Sequence, residues 1–131
     1  MSWFRRTPPF EDSHLGKLTR SGNVWLPSAP VGALGVVIVG RGQGRPNPLS
    51  VGIARHLLSN ASKLESAARA FVTQDSAAMS AIEGHGQLQC DGFNVYESGK
   101  FAVEFSVTEW DDLMISVPFE DGVPFAVELG D

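Results

Sequence analysis

VVIVGRGQGRPNP, Val36 to Pro48, runs a β-branched apolar segment into a glycine-rich basic loop and then into a helical pattern. As a nucleotide-binding loop it would place the chain among the parallel βαβ folds. As a connector it leaves an α+β domain. A dinucleotide fingerprint needs Gly-x-Gly-x-x-Gly, whose third glycine lets helix and strand pack closely. Gly40 and Gly42 match, but Arg45 takes the third place and Gly44 is out of register. A P-loop ends in Gly-Lys-Ser/Thr, and no such tripeptide follows. Pro46 and Pro48 remove amides that a phosphate cradle would use. The stretch reads as a strand-to-helix connector with weak anion attraction by Arg41 and Arg45.

Outward from that loop, the coarse order is strands, helices, strands. Leu15 to Arg20 and Asn23 to Leu26 read as a hairpin around Ser21-Gly22. Ala33 to Val39 is almost wholly apolar, as expected of a central strand buried on both faces. Asn47-Pro48 is a helix start, because proline at N1 lacks only an amide that has no helical partner there. Leu49, Ile53 and Leu57, widened by Ala54 and Leu58, are the expected apolar stripe, and Ser59-Asn60 ends the helix. Ser62-Lys63-Leu64-Glu65 fits a capping box for a second helix with Leu64, Ala67, Ala68, Phe71 and Val72 inward. Asp75 is placed to cap a short third piece through Met79 and Ile82 to Gly84.

The last third alternates with period two in three runs, FAVEFSV (101–107), LMISVPF (113–119) and VPFAVEL (123–129). Such alternation predicts half-buried strands, and the turn pairs Ser98-Gly99 and Asp121-Gly122 predict antiparallel hairpins between them. The expected fold is α+β: a mostly antiparallel sheet, made of an N-terminal hairpin and a C-terminal meander, with two or three helices packed on one face. One domain is expected over residues 1–131, with residues 1–14 as a partly ordered N-terminal arm.

The 131 residues carry a formal net charge of −5, unevenly spread. Residues 1–69 balance at +6 and residues 70–131 at −11, with Lys100 the only cation of the second part. Such a split steers charged partners if it survives folding and cancels if the two parts interleave. A pI of about 5.1 and the lack of a basic, aromatic-bearing strand argue against nucleic-acid binding. A single cysteine, Cys90, allows no internal disulfide, and no run approaches the roughly 18 apolar residues of a membrane span. The segment MSWFRRTPPF has arginines but no apolar region behind them. A cytoplasmic protein is expected.

No catalytic, cofactor or metal motif emerges. His14, His56 and His85 show no ligand spacing, and His85 with Cys90 lies on opposite faces of any strand between them. Ser50 lacks the flanking glycines of a nucleophile elbow. TEWDDLM (108–114) lacks the alternate oxygen ligands of a calcium loop, so Glu109, Asp111 and Asp112 read as solvated turn charges. Trp110 among them is either folded back on the sheet or an anchor for a partner. Glu104, Met114 and Glu128, on the expected solvent face of the closing strands, complete a candidate partner-binding set with those four residues.

FEDSHLGKL (10–18), Trp25, the helices PLSVGIARHLLSN (48–60) and KLESAARAFV (63–72) and the closing strand pairs together resemble small bacterial domains of uncharacterised function. Phe10, Asp12, Gly16 and Leu18 carry the nearest match. Some similar domains lie beside polymorphic or contact-dependent toxins and act as immunity proteins. The resemblance implies the α+β layout and a binding role, and offers no catalytic motif to carry over. The leading expectation is a binding protein that neutralises a basic toxin domain through an acidic surface. The alternatives are a small hydrolase or nucleotide-handling enzyme using His14 with Asp12 or the Arg41/Arg45 loop, and an adaptor of a larger assembly.

Overall fold

The structure, a computed structural model, describes residues 8–27, 35–40 and 44–130. Its first strands follow their turns. Phe10–Asp12 (β1) pairs antiparallel with Gly16–Ser21 (β2), and β2 turns back at Gly22 into Val24–Pro27 (β3). Gly35–Val39 (β4) then pairs antiparallel with β3. Phe10–Asp12 is therefore an edge strand of the sheet, within the stretch expected as a partly ordered N-terminal arm, of which residues 1–7 lie outside the described residues. Val36 and Ile38 are buried, whereas Val37 and Val39 are half-buried. The expected double-sided burial fails because, among the described residues, no second layer covers that side.

The helical excursion opens at Asn47, whose side-chain oxygen accepts the Leu49 amide at 2.9 Å. Pro48–Ser59 (α1) buries Ser50, Val51, Ala54 and Leu57. Leu49 is 61% exposed and Ile53 half-buried, so the expected 49-53-57 row is not the core stripe. The cause is the helical repeat: at 3.6 residues per turn a strict spacing of four winds off the buried face, and mixed three–four spacing stays on it. Ala61–Thr73 (α2) follows directly after Asn60, one residue before the expected capping box. Asn60 uses its amide to donate to the His56 carbonyl, and Ser62 lies inside the first turn. Ala68 and Val72 are buried and Ala67 is exposed. In Ser76–Ile82 (α3) the Asp75 carboxylate caps the Ala78 amide at 2.9 Å, as its position suggested.

Leu88–Val95 (β5), Phe101–Val107 (β6) and Trp110–Glu120 (β7) form the meander. Val103, Phe105, Val107, Leu113, Ile115, Val117 and Phe119 enter the core as their alternation requires. The third run differs. It breaks into Val123–Pro124 (β8) and Glu128–Gly130 (β9), both paired antiparallel with β7. Four residue steps from Pro124 to Glu128 face three from Phe119 to Ser116, a one-residue slip: Val123 stands opposite Glu120, away from the core, whereas Leu129 stands opposite Ile115. Val123, Phe125 and Leu129 are exposed, and Val127 alone of that row packs on the core.

One pairing was not visible in the sequence. After three helices the chain returns parallel to β4, with Val36 beside Phe93 and Ile38 beside Val95. This seam joins the two antiparallel ribbons into a single nine-stranded sheet in the order β1 to β8, β9 also lying on β7. α1 packs over β4 and β5, and α2 over β6, β7 and β8. The helices fill one face, and the core runs from Leu18 and Trp25 to Ile115 and Phe119.

The seam requires glycine. Gly92 follows a β-bulge at Asp91, has φ 139°, and sits against Gly35 so closely that a Cβ would lie 1.9 Å from the Gly35 carbonyl oxygen. Gly22 also has positive φ, 63°, but a Cβ there meets open space. Gly92→Ala is therefore expected to cost about 3 kcal/mol or more, and Gly22→Ala only about 1 kcal/mol of backbone strain. Urea unfolding of the two variants measures both, and equal losses would contradict the close approach.

Candidate functional site

The meander's uncovered face gathers polar groups because its strands alternate. With Phe105 and Ile115 inward, Glu104, Ser116 and Glu128 stand side by side outward on β6, β7 and β9. Ser116 Oγ donates to Glu104 Oε2 at 2.6 Å. The bulge adds Asp91 to this face: Ser106 Oγ donates to Asp91 Oδ1 at 3.0 Å, and Gln89 Nε2 donates to Ser106 Oγ at 3.0 Å. Met114, 61% exposed, lies one pleat from Ser116. Asp91, Gly92, Asn94, Glu104 and Met114 border a cleft of about 210 Å³ beside the seam. Burial pushes the Glu104 carboxyl above its ordinary value; the Ser116 hydroxyl opposes that rise, and Asp91 and Glu128 add to it.

The remaining candidates sit at the β6–β7 connection. Trp110 is half-buried against the core, its ring 4.7 Å from that of His85 and tilted by 43°. Backbone bonds from Glu109 to the His85 carbonyl, 2.9 Å, and from Thr108 to the Gln87 carbonyl, 3.0 Å, tie the same two segments together. Glu109, Asp111 and Asp112 are exposed. The seven candidate residues thus fall into two groups, and Trp110 braces the loop before β5.

Asp12 is committed elsewhere. Its Oδ2 accepts the His14 and Leu15 amides, each at 2.9 Å, and its Oδ1 accepts Arg55 Nε at 2.9 Å and a second, very short bond from Arg55 Nη2. The side chain is 1% exposed against 45% for Arg55. The Arg55 hydrogen bonds, aided by those two amides and opposed by burial, hold the carboxyl far below the usual range. A carboxylate so held is a poor general base, and His14 Nδ1 lies 3.1 Å from Ser13 Oγ instead. Arg55 was missed in the sequence, though its place beside Ala54 on the buried stripe marked it.

The other chemical candidates disperse. Arg41 lies outside the described residues, and Arg45 is exposed. Burial pushes the Cys90 thiol up to about 11, so it is protonated at neutral pH. Ser50 is buried in α1 and His56 exposed on it. Among the described residues no cluster of His, Cys, Asp or Glu has the geometry to hold a metal ion, and no helix is long and apolar enough to cross a membrane.

Within the sheet, strands β1–β4 balance Glu11 and Asp12 against Lys17 and Arg20, whereas strands β5–β9 carry Asp91, Glu104, Asp111, Asp112, Glu120 and Glu128 and no cation. Lys100, the acidic part's one cation, lies 3.8 Å from Glu120. Comparison with known proteins gave no match: no family model, no curated protein and no solved structure aligns with this chain.

Two carboxylates should move stability in opposite directions. The folded pKa of Asp12 is depressed, so its stabilisation is complete above the unfolded value of about 3.9 and declines as pH falls through the folded one. Asp12→Ala should cost about 2–3 kcal/mol at neutral pH and flatten the acid limb of the profile. The folded pKa of Glu104 is raised, so its contribution worsens as pH rises through that value. Glu104→Gln should therefore leave neutral-pH stability unchanged or raise it by up to about 1 kcal/mol. Denaturant midpoints from acid to neutral pH report both signs.

Proposed function

We propose that this chain is a cytoplasmic binding protein without catalytic activity, of the immunity type, which neutralises a toxin by covering a basic cleft. The observation that carries the reading is the uncovered sheet face with Glu104, Ser116 and Glu128 in one row, Asp91 at its border and Met114 exposed beside them. Carboxylates on one side of the sheet steer a basic partner and fix its orientation, and they repel nucleic-acid phosphates. Met114 supplies the flexible apolar contact that charge pairs lack. The raised Glu104 pKa fits this role: a carboxylate held partly desolvated is relieved by an incoming cation. Glu109, Asp111 and Asp112 extend the acidic surface at the β6–β7 end, with Trp110 as a brace that shapes the turn.

The test is capture from the native cell on immobilised full-length chain, followed by binding kinetics with the retained protein. A basic partner, toxic when expressed alone and silenced by co-expression, is expected. The Glu104→Gln, Glu128→Gln double variant should slow its association by about tenfold and flatten the salt dependence. Met114→Asp should mainly speed dissociation. A captured partner that binds both variants as it binds the parent chain contradicts the assignment of this face. A partner without toxicity contradicts the immunity role.

A further inference from the structure

On the helical side, away from the acidic face, α2, α3 and the start of β5 line an open cavity of about 560 Å³. That volume falls within the range of small-molecule sites. Met79, Ile82 and Leu88 make its apolar lining, Thr73 and Ser80 bring hydroxyls, and Arg69 is its one cation. The arginine is held in place: Nη1 donates to the Leu88 carbonyl at 2.9 Å, and the guanidinium carbon lies 5.5 Å from the centre of the Phe105 ring. Glu65, one turn earlier, makes a long, part-exposed ion pair with it, Nη2 to Oε1 3.9 Å. A guanidinium has five donors, so this one is oriented but far from saturated.

The walls are set before any ligand arrives. Asp75 caps the start of α3. Beyond its end, the 84–87 loop is tied to the β6–β7 turn: the Gln87 amide donates to Thr108 Oγ1 at 2.9 Å, and His85 and Gln87 accept the Glu109 and Thr108 amides. Gly86 lies so near that turn that a Cβ would come within 2.0 Å of Thr108 Oγ1. The result is a mostly apolar pocket with one oriented cation, its floor formed by Ile82 and its rim open to solvent at Thr73, Met79 and Ser80.

We propose that this cavity binds a small monocarboxylate with an apolar body, its carboxylate on the Arg69 guanidinium and its hydrocarbon against Met79, Ile82 and Leu88. Glu83, also on the cavity's lining, disfavours a ligand with a second negative charge. The site does not depend on the toxin-binding reading, because it lies on the opposite layer of the fold.

Titration of the isotope-labelled full-length chain with 4-phenylbutyrate, and in parallel with its neutral amide, tests the site by NMR. The acid should give saturable shifts, confined to amides of residues 69–88, below about 10 mM ligand. The amide should bind about tenfold more weakly or worse, since it lacks the charge that Arg69 recognises. Met79→Trp, which fills the cavity from its half-exposed rim, should abolish the shifts without lowering the unfolding midpoint. Arg69→Lys keeps the charge but loses the fixed fork, and should weaken the acid several-fold. Equal binding of acid and amide, shifts that map elsewhere, retention of binding in Met79→Trp, or no saturation would each overturn the proposal.

Discussion

The parallel seam between β4 and β5 is the constraint on which the rest of this molecule depends. Two backbones approach there so closely that Gly92 has no room for a side chain against Gly35. Without the seam the chain would consist of two separate antiparallel ribbons with three helices between them. With it, α1 can lie across β4 and β5 and α2 across the meander, and one core forms beneath both. The bulge that brings Gly92 into register also turns Asp91 outward to meet Ser106, so the join and the polar face share one local device.

A second lock works at the far end. Asp12 binds the turn after β1 through its own amides and reaches α1 through Arg55, so the edge strand is tied to the helix layer. Buried carboxylates are expensive unless every oxygen is satisfied, and here both are. That same satisfaction withdraws Asp12 from chemistry. The contrast with Glu104 is instructive: one carboxylate is over-provided with donors and serves the fold, whereas the other has a single hydroxyl and stands on the open face. Polar groups left under-served at a surface are where binding energy remains to be gained.

Much of this architecture was legible in the chain. The alternation of 101–107 and 113–119, the caps at Asn47 and Asp75 and the turns at Ser21-Gly22 and Asp121-Gly122 are local signals, and each reports a local structure. What stayed hidden is non-local. The parallel pairing of Val36 with Phe93 joins segments separated by three helices, and no periodicity records it. The slip within 123–129 depends on how an edge strand meets β7, which alternation alone cannot foresee. Glu104, Met114 and Glu128 could be placed on one face by counting, whereas Asp91 joined them only through a bulge. Arg69 and its cavity gave no motif, because its walls come from two helices and a strand.

The seam also decides where the charges go. The acidic strands β5–β9 all lie on one side of it, so that a different strand order would interleave them with the charge-balanced strands β1–β4 and dilute the field on which the proposed recognition rests. The most direct test is therefore the register itself, read by nuclear Overhauser contacts in the isotope-labelled protein. Parallel pairing predicts amide-to-Hα contacts between residues 35–38 and residues 92–95 in ascending order, with no strong Hα–Hα contacts between the two strands. Strong Hα–Hα contacts in descending order, or β4 contacts to a strand other than β3 and β5, would contradict the account.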